Sequence, residues 1–74
     1  MQANPEILRD LVKTKMPFGK YKDTTIDALP TYYLEWFATQ GFPKGKIGML
    51  LSTMFEIRTN GLDYLLDPLR KGRI

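Results

Sequence analysis

The sequence predicts an α+β fold that is mostly α, with three main helices, a short β-hairpin and a short C-terminal helical turn. Apolar residues recur at helical spacing in three segments, which glycine and proline separate from one another. Between the first two segments, tyrosine and β-branched residues flank a lysine-rich turn, a pattern typical of a small hairpin. We expect residues 1–74 to form a single small domain, with residues 1–3 and 70–74 mobile.

The first helix is expected over about residues 5–14. Asn4 can accept hydrogen bonds from free N–H groups at the helix start, and Pro5 suits the first helical position. Four apolar residues share one stripe of this helix and are predicted to face the core: Ile7, Leu8, Leu11 and Val12.

The hairpin is expected directly after this helix. Pro17 lacks an N–H group and therefore does not favour a continued helix. Residues 20–23 then predict a tight turn, and residues 24–26 (Thr-Thr-Ile) predict an extended arm. Because a two-stranded hairpin is marginal by itself, it has to pack against the helices.

The second helix is expected to start at Leu29-Pro30 and to end at Gly41, which adopts a left-handed conformation without strain. Its apolar stripe is largely aromatic: Leu29, Tyr32, Tyr33, Trp36 and Phe37. Such a stripe could stack on nucleobases, but a helix face of this kind more often belongs to the core. We therefore predict that Trp36 is buried against the first and third helices, where truncation to alanine would cost about 3 to 5 kcal/mol.

The third helix is expected over about residues 46–59, ending at Asn60-Gly61. Its core stripe comprises Ile47, Leu50, Leu51, Met54 and Ile57, with Phe55 at the edge. Arg58 projects from that stripe near the helix end, and we favour a structural role for it over a functional one. Residues 62–66 predict one further helical turn, ended by Asp67-Pro68.

Composition excludes several classes of function. The sequence has no cysteine and no histidine, which removes disulfides, the usual zinc ligands and the Cys-His and Ser-His nucleophiles. An enzyme would depend on Asp, Glu, Lys or Tyr; Asp23 and Asp27 could share a metal with Glu35 or Glu56, but turn and helix solvation explain each of these carboxylates. We expect a cytoplasmic, soluble, non-catalytic protein without metal, cofactor or membrane segment.

Positive charge is the main functional signal in the sequence. Eleven Lys and Arg against eight Asp and Glu give a net charge of +3, and residues 11–22 contain no acid. Lys44 and Lys46 lie at a predicted helix start, where cations oppose the helix dipole unless an anion joins them. We therefore predict that Lys20, Lys22, Lys44 and Lys46 form an anion-binding surface for a nucleic acid or another polyanion. The simpler alternative is a solvated face and a frayed basic tail.

A second functional class is protein interaction. Hydrophobic residues make up 43% of this short chain, which is more than one small core readily buries. The chain could therefore form a homodimer or bind another protein with a regulatory role.

Four blocks of the sequence together carry a family resemblance: residues 16–22 (MPFGKYK), 29–37 (LPTYYLEWF), 41–48 (GFPKGKIG) and 56–62 (EIRTNGL). At these blocks the chain resembles small bacterial domains described as "putative quorum-sensing-regulated virulence factors". That resemblance implies regulated expression and supplies no catalytic residues. The FGKYKG and PxxYLxW elements also look like a segment beside some exonuclease domains, which implies a nucleic-acid context; Asp23 stands here where that pattern usually has glycine.

Overall fold

The computed structural model describes residues 5–71, and these fold into helices joined by short loops. The α-helices are α1 (Pro5–Lys13), α2 (Thr31–Gln40), α3 (Gly45–Thr59) and α4 (Asp67–Lys71). Two 3-10 helices, Ile26–Ala28 and Asp63–Leu66, precede α2 and α4 respectively. α2 packs along α3, while α1 lies against α3, α4 and the first 3-10 helix. Asn4, predicted to cap α1, and the tail residue Arg73 lie outside the described residues.

The predicted β-hairpin is wrong, because residues 5–71 contain no strand and no sheet. Only an isolated antiparallel bridge joins Lys15 to Thr25. Pro17 has no N–H group with which to extend this pairing on one side, and Ile26 enters a 3-10 helix on the other. The described part of the chain is therefore helical rather than α+β.

Residues 16–24 form a closed loop, which we call the 16–24 loop. Backbone N–H groups close its base by donating from Met16 to Thr24 O, from Asp23 to Met16 O and from Ile26 to Thr14 O. Asp23 has a φ of +72°, a left-handed conformation that aspartate tolerates and glycine adopts freely.

The core lies where α1, α2, α3 and the second 3-10 helix meet. Its fully buried side chains are those of Leu11, Met16, Ile26, Leu29, Leu34, Leu50, Leu51, Met54 and Leu66. The stripes predicted for the first and third helices are confirmed, since Leu11 and Val12 are buried in α1 and Leu50, Leu51, Met54 and Ile57 are buried in α3. The other stripe residues pack against this core while partly exposed: Ile7, Leu8, Ile47 and Phe55.

The apolar stripe predicted for the second helix is only partly correct: its members Leu29 and Phe37 are buried, but not all of the others are. Leu34 and Phe37 are buried, whereas Tyr32 and Trp36 are each 53% exposed. The predicted burial of Trp36 is therefore wrong. α2 carries apolar residues on two adjoining faces, so helical periodicity alone does not identify which face packs on α3.

The C-terminal segment also departs from the sequence prediction. The helical turn predicted over residues 62–66 is present as the 3-10 helix Asp63–Leu66, but Asp67-Pro68 starts a further helix, α4, which continues to Lys71. Pro68 lies in the first turn of α4, where the missing N–H group would have no partner in the helix. The segment is anchored by Leu66, which is fully buried.

A polar network joins α4 and α3 to the segment before α2. Asp27 is only 3% exposed, and Arg70 Nε donates to its Oδ2 at 2.8 Å. Arg70 also donates to the carboxylates of Asp63 and Asp67. Arg58 donates to the carbonyl oxygens of Leu29 at 2.8 Å and Asp27 at 2.9 Å. These contacts give Arg58 a structural role, which it fulfils on the neighbouring segment rather than at the end of its own helix.

Gly48 marks the closest approach of α3 to the loop before it. A Cβ atom built at Gly48 would lie 1.6 Å from the carbonyl oxygen of Pro43, which is a backbone atom and cannot rotate away. Glycine is therefore needed at this helical position for packing, although it is a poor helix former.

Gly48→Ala is expected to destabilise the protein by about 2 to 3 kcal/mol, because the overpacking outweighs the helix propensity that alanine adds. Ser52→Ala on the same helix is the matched control and should change the free energy of unfolding by less than about 0.5 kcal/mol. Urea titration followed by circular dichroism measures both. An unchanged or higher midpoint for Gly48→Ala would contradict the contact with Pro43.

Arg70→Ala is expected to cost about 3 kcal/mol, because it removes the guanidinium that pairs with the buried carboxylate of Asp27. The exposed neighbour Lys71 provides the control, and Lys71→Ala should leave the melting temperature within a few degrees of the wild type. Equal melting temperatures for the two variants would show that the ion pair does not hold α4 in place.

Acid titration gives a second measure of the same network. The Arg70 guanidinium holds the pKa of Asp63 below its ordinary value of 3.8. A carboxyl group with a lowered folded-state pKa contributes stability above its ordinary pKa, and the contribution is lost as the pH falls through the folded-state value. The wild type should therefore lose stability in acid below about pH 4, and Arg70→Ala should lose less over the same range.

Candidate functional site

An open groove lies between the 16–24 loop and the exposed face of α2, and we call it the aromatic groove. Its volume is ≈ 470 Å³, within the range of small-ligand sites. Its lining consists of Phe18, Gly19, Lys20, Tyr32, Tyr33, Trp36 and Phe37. Three of these aromatic side chains are exposed to solvent: Phe18 at 42%, and Tyr32 and Trp36 at 53% each.

The aromatic rings of the groove support one another. Tyr33 and Trp36 lie nearly parallel, with an interplanar angle of 9° and ring centroids 6.5 Å apart. Phe37, which is buried, makes edge contacts with both rings at centroid distances of 5.0 Å. Tyr21 packs edge-on against Tyr33 at 4.7 Å from the loop side. The exposed rings are therefore held in place by the core below and the loop beside them.

Lys20 supplies the positive charge of the groove. Its Nζ donates to the Tyr32 hydroxyl at 3.4 Å and lies 5.6 Å and 5.9 Å from the ring centroids of Tyr21 and Tyr32. The hydrogen bond to Tyr32 raises the pKa of Lys20, so the amine stays protonated at neutral pH. No carboxylate lines the groove, and within residues 5–71 Lys20 forms no ion pair.

The hydroxyl groups of Tyr21 and Tyr32 are hydrogen-bonded to each other. This bond raises the pKa of Tyr21 and lowers the pKa of Tyr32. Lys20 acts in the same direction on Tyr32, because an ammonium group beside a phenol favours the phenolate. The three side chains therefore form a linked set that fixes the position of the Lys20 amine at the groove.

Gly19 fits the floor of the groove because it has no side chain. Its φ is +80°, and a Cβ atom there would lie 2.8 Å from the Tyr33 hydroxyl oxygen. The sequence FGKY thus combines a strained turn position with close contact to α2. A larger residue would have to adopt this positive φ and displace the Tyr33 hydroxyl or the loop.

The four lysines predicted to bind anions lie in different surroundings. Lys20 lines the aromatic groove, Lys22 is exposed on the 16–24 loop and Lys44 is exposed directly before α3. Lys46 pairs with Asp10 of α1 at 3.1 Å and lines a second depression with Glu6, Arg9, Asp10 and Lys13. An anion beside the lysines at this helix start is therefore already present in the chain, as the carboxylate of Asp10. A single surface shared by all four lysines stays a prediction.

The carboxylates considered for a metal site have other surroundings. Asp27 is buried and paired with Arg70, whereas Asp23 is exposed on the 16–24 loop. Across residues 5–71, no group of three carboxylates is arranged to hold a metal ion. In the same part of the chain, no helix has the length and apolar character needed to cross a membrane.

Sequence reasoning included Lys20 among the predicted site residues but assigned Tyr32, Tyr33 and Trp36 to the core together with Phe37. Of these four aromatic residues, Phe37 is buried. The available signal was Leu34, the aliphatic residue within the aromatic run. An aliphatic side chain has no polar atom to satisfy, whereas Tyr32 and Trp36 carry polar tips that suit a partly wet position. The buried face of α2 could have been assigned from that difference.

Trp36→Ala is now expected to lower the free energy of unfolding by about 1 kcal/mol or less, because half of the side chain is already exposed. Phe37→Ala is the matched control on the adjoining face, where truncation of a buried aromatic should cost about 3 to 5 kcal/mol. Thermal melts followed by circular dichroism compare them. If Trp36→Ala were as damaging as Phe37→Ala, the outward placement of Trp36 would be wrong.

The chain is similar to known bacterial proteins over most of its length. The model of the family described as "Putative quorum-sensing-regulated virulence factor" matches residues 4–69. The "Uncharacterized protein YpeB" of Escherichia coli K12 is 45% identical over 67 residues, covering 89% of the chain and 93% of that protein. The protein of the same name from Escherichia coli O157:H7 matches with the same identity and coverage. No solved structure matches the chain.

Proposed function

This chain belongs to the bacterial family described as "Putative quorum-sensing-regulated virulence factor", and we propose that it is a non-catalytic accessory module that binds a nucleic acid or a similar polyanion. The family description names a mode of regulation but neither a ligand nor a reaction. The proposal therefore depends on the chemistry of the described surface.

One observation carries the proposal: the aromatic groove combines exposed aromatic side chains with a lysine and has no carboxylate in its lining. Basic groups beside exposed aromatic side chains are the combination with which proteins bind nucleic acids, since the charge meets phosphates and the rings meet bases. A quaternary ammonium ligand also suits aromatic cages, but the Lys20 amine would repel it. An anionic ligand with flat, apolar parts fits the groove best.

The remaining lysines extend this site in the proposal. Lys22 follows Lys20 on the same loop, and Lys44 precedes α3; both are exposed. Lys46 would contribute less, because its amine already pairs with Asp10. Contacts between lysines and phosphates hold a nucleic acid without distinguishing its sequence, so we expect little base specificity. A cytoplasmic location is part of this proposal.

A second candidate is a protein-interaction module or homodimer with a regulatory role. It is favoured by the same exposure of Phe18, Tyr32 and Trp36, which together form an apolar patch. Such a complex should show a melting temperature that rises with protein concentration and an affinity that does not fall with added salt. Light scattering measures the oligomeric state directly.

Binding of the purified full chain to fluorescently labelled DNA, RNA and heparin tests the main proposal. We expect dissociation constants of about 10⁻⁴ to 10⁻⁶ M at physiological salt and tighter binding at ~50 mM salt. Replacing Lys20, Lys22, Lys44 and Lys46 together by alanine should abolish binding while leaving the fold intact, because each exposed lysine changes stability by less than about 0.5 kcal/mol. Fluorescence anisotropy measures the affinity.

Two single variants sharpen this test. Lys20→Ala should weaken binding more than Lys46→Ala, since only Lys46 is paired with a carboxylate. Lys71→Ala, an exposed lysine on α4, serves as the control and should bind as the wild type does. If none of these polyanions binds at ~50 mM salt, where phosphate contacts are strong, the proposal is rejected.

A further inference from the structure

The aromatic groove presents exposed aromatic rings against which a planar ligand can stack. Trp36 and Tyr33 are nearly parallel, and more than half of the Trp36 surface is open to solvent. Phe37 supports both rings from below, so a ligand would find them already held in position. A preformed stacking surface of this kind requires little ordering of side chains on binding.

The charge at the groove restricts what can cover these faces. The Lys20 amine is fixed by Tyr32 and by the rings of Tyr21 and Tyr32, and the groove lining contains no acid. A cationic occupant would be repelled by this amine. A purely aliphatic occupant would cover the amine without offering it an anion. A nucleotide unit satisfies both requirements, because it joins a flat base to a phosphate.

The bases of a duplex do not meet these requirements. Paired bases stack on one another, and their faces are therefore covered along the whole length of the helix. Only an unpaired base presents a face to a protein side chain, as in the recognition of single strands by aromatic residues. The groove thus distinguishes between nucleic acids by strandedness.

From this geometry we infer that the aromatic groove accepts an unpaired base of a single-stranded nucleic acid, stacked against Trp36, with an adjacent phosphate held by Lys20. The inference rests on the proposed function and narrows its ligand to single strands. Base identity matters little at this site, because the polar side-chain groups in the lining are the Lys20 amine, the hydroxyls of Tyr32 and Tyr33 and the indole N–H of Trp36. None of these offers the paired donor and acceptor that read a base edge.

The test compares three probes with the full chain at ~50 mM salt, by fluorescence anisotropy. The probes are a single strand of about 12 nucleotides, its duplex, and a strand of equal length whose bases are replaced by abasic sites. We expect the single strand to bind at least about fivefold more tightly than the other two, since one stacked base contributes that much or more. The abasic strand keeps the phosphates and therefore isolates the contribution of stacking.

Substitutions assign the preference to the groove. Trp36→Ala should remove the advantage of the single strand over the abasic strand, and Trp36→Phe should retain most of it because a ring face remains. Tyr64 is 63% exposed and lies outside the groove, so Tyr64→Ala is the matched control and should bind unchanged. Lys20→Ala should reduce the slope of log K against log salt for the single strand by about 0.7. Circular dichroism confirms that each variant is folded.

The outcomes separate this inference from the proposed function. If duplex and abasic strands bind as tightly as the single strand, and Trp36→Ala has no effect, stacking in the groove is rejected while polyanion binding stands. If no probe binds, both are rejected. If Trp36→Ala instead converts a dimer to a monomer in light scattering and leaves single-strand affinity unchanged, a second copy of the chain occupies the groove and the inference is overturned.

Discussion

The ion pair between Asp27 and Arg70 is the interaction on which the arrangement of this small protein depends. Asp27 lies in the first 3-10 helix, directly before α2, and Arg70 lies in the last described helix. The pair therefore joins two segments that are 43 residues apart in sequence. Arg58 adds hydrogen bonds to the carbonyl groups of the same segment from α3. In a chain without disulfides, a buried charge that needs its partner specifies one arrangement of α4 and excludes others.

This network also holds the segment that leads into α2. Arg58 donates to the carbonyl group of Leu29, two residues before α2 starts at Thr31. Within α2, Leu34 and Phe37 are buried in the core, whereas Tyr32 and Trp36 are each 53% exposed. Large aromatic side chains exposed together are typical of a binding surface.

The sequence predicted those parts of the fold that depend on local pattern. The stripes of α1 and α3 were predictable because their apolar residues occupy one face each, and the end of α2 was predictable because Gly41 adopts a left-handed conformation. The hairpin was predicted wrongly, because β-branched residues favour extended backbone but do not guarantee a neighbouring strand with which to pair. The helix that starts at Asp67 was missed for a related reason: Asp67-Pro68 can stop one helical turn or start the next.

For the candidate site, the sequence indicated the lysines and the aromatic residues separately. Their meeting in one groove depends on the 16–24 loop folding back onto α2, a contact between residues that periodicity cannot relate. The ion pair of Arg70 was equally hidden, since nothing near Arg70 in the sequence indicates that its partner is Asp27. Interactions distant in sequence and specific to one pair of side chains are the part that pattern analysis misses.

The closed base of the 16–24 loop makes the backbone shape of the loop independent of some of the side chains that line the groove. Backbone hydrogen bonds at Met16 and Asp23 complete the loop without using the side chains of Phe18 or Lys20. The helices supply one wall of the groove, and this independent loop supplies the other. Side chains of the loop that do not pack on the core, such as those of Phe18 and Lys20, can therefore be exchanged by design while Gly19 and the helical core stay the same. Divergence of ligand preference within such a family would then be concentrated in a handful of loop positions.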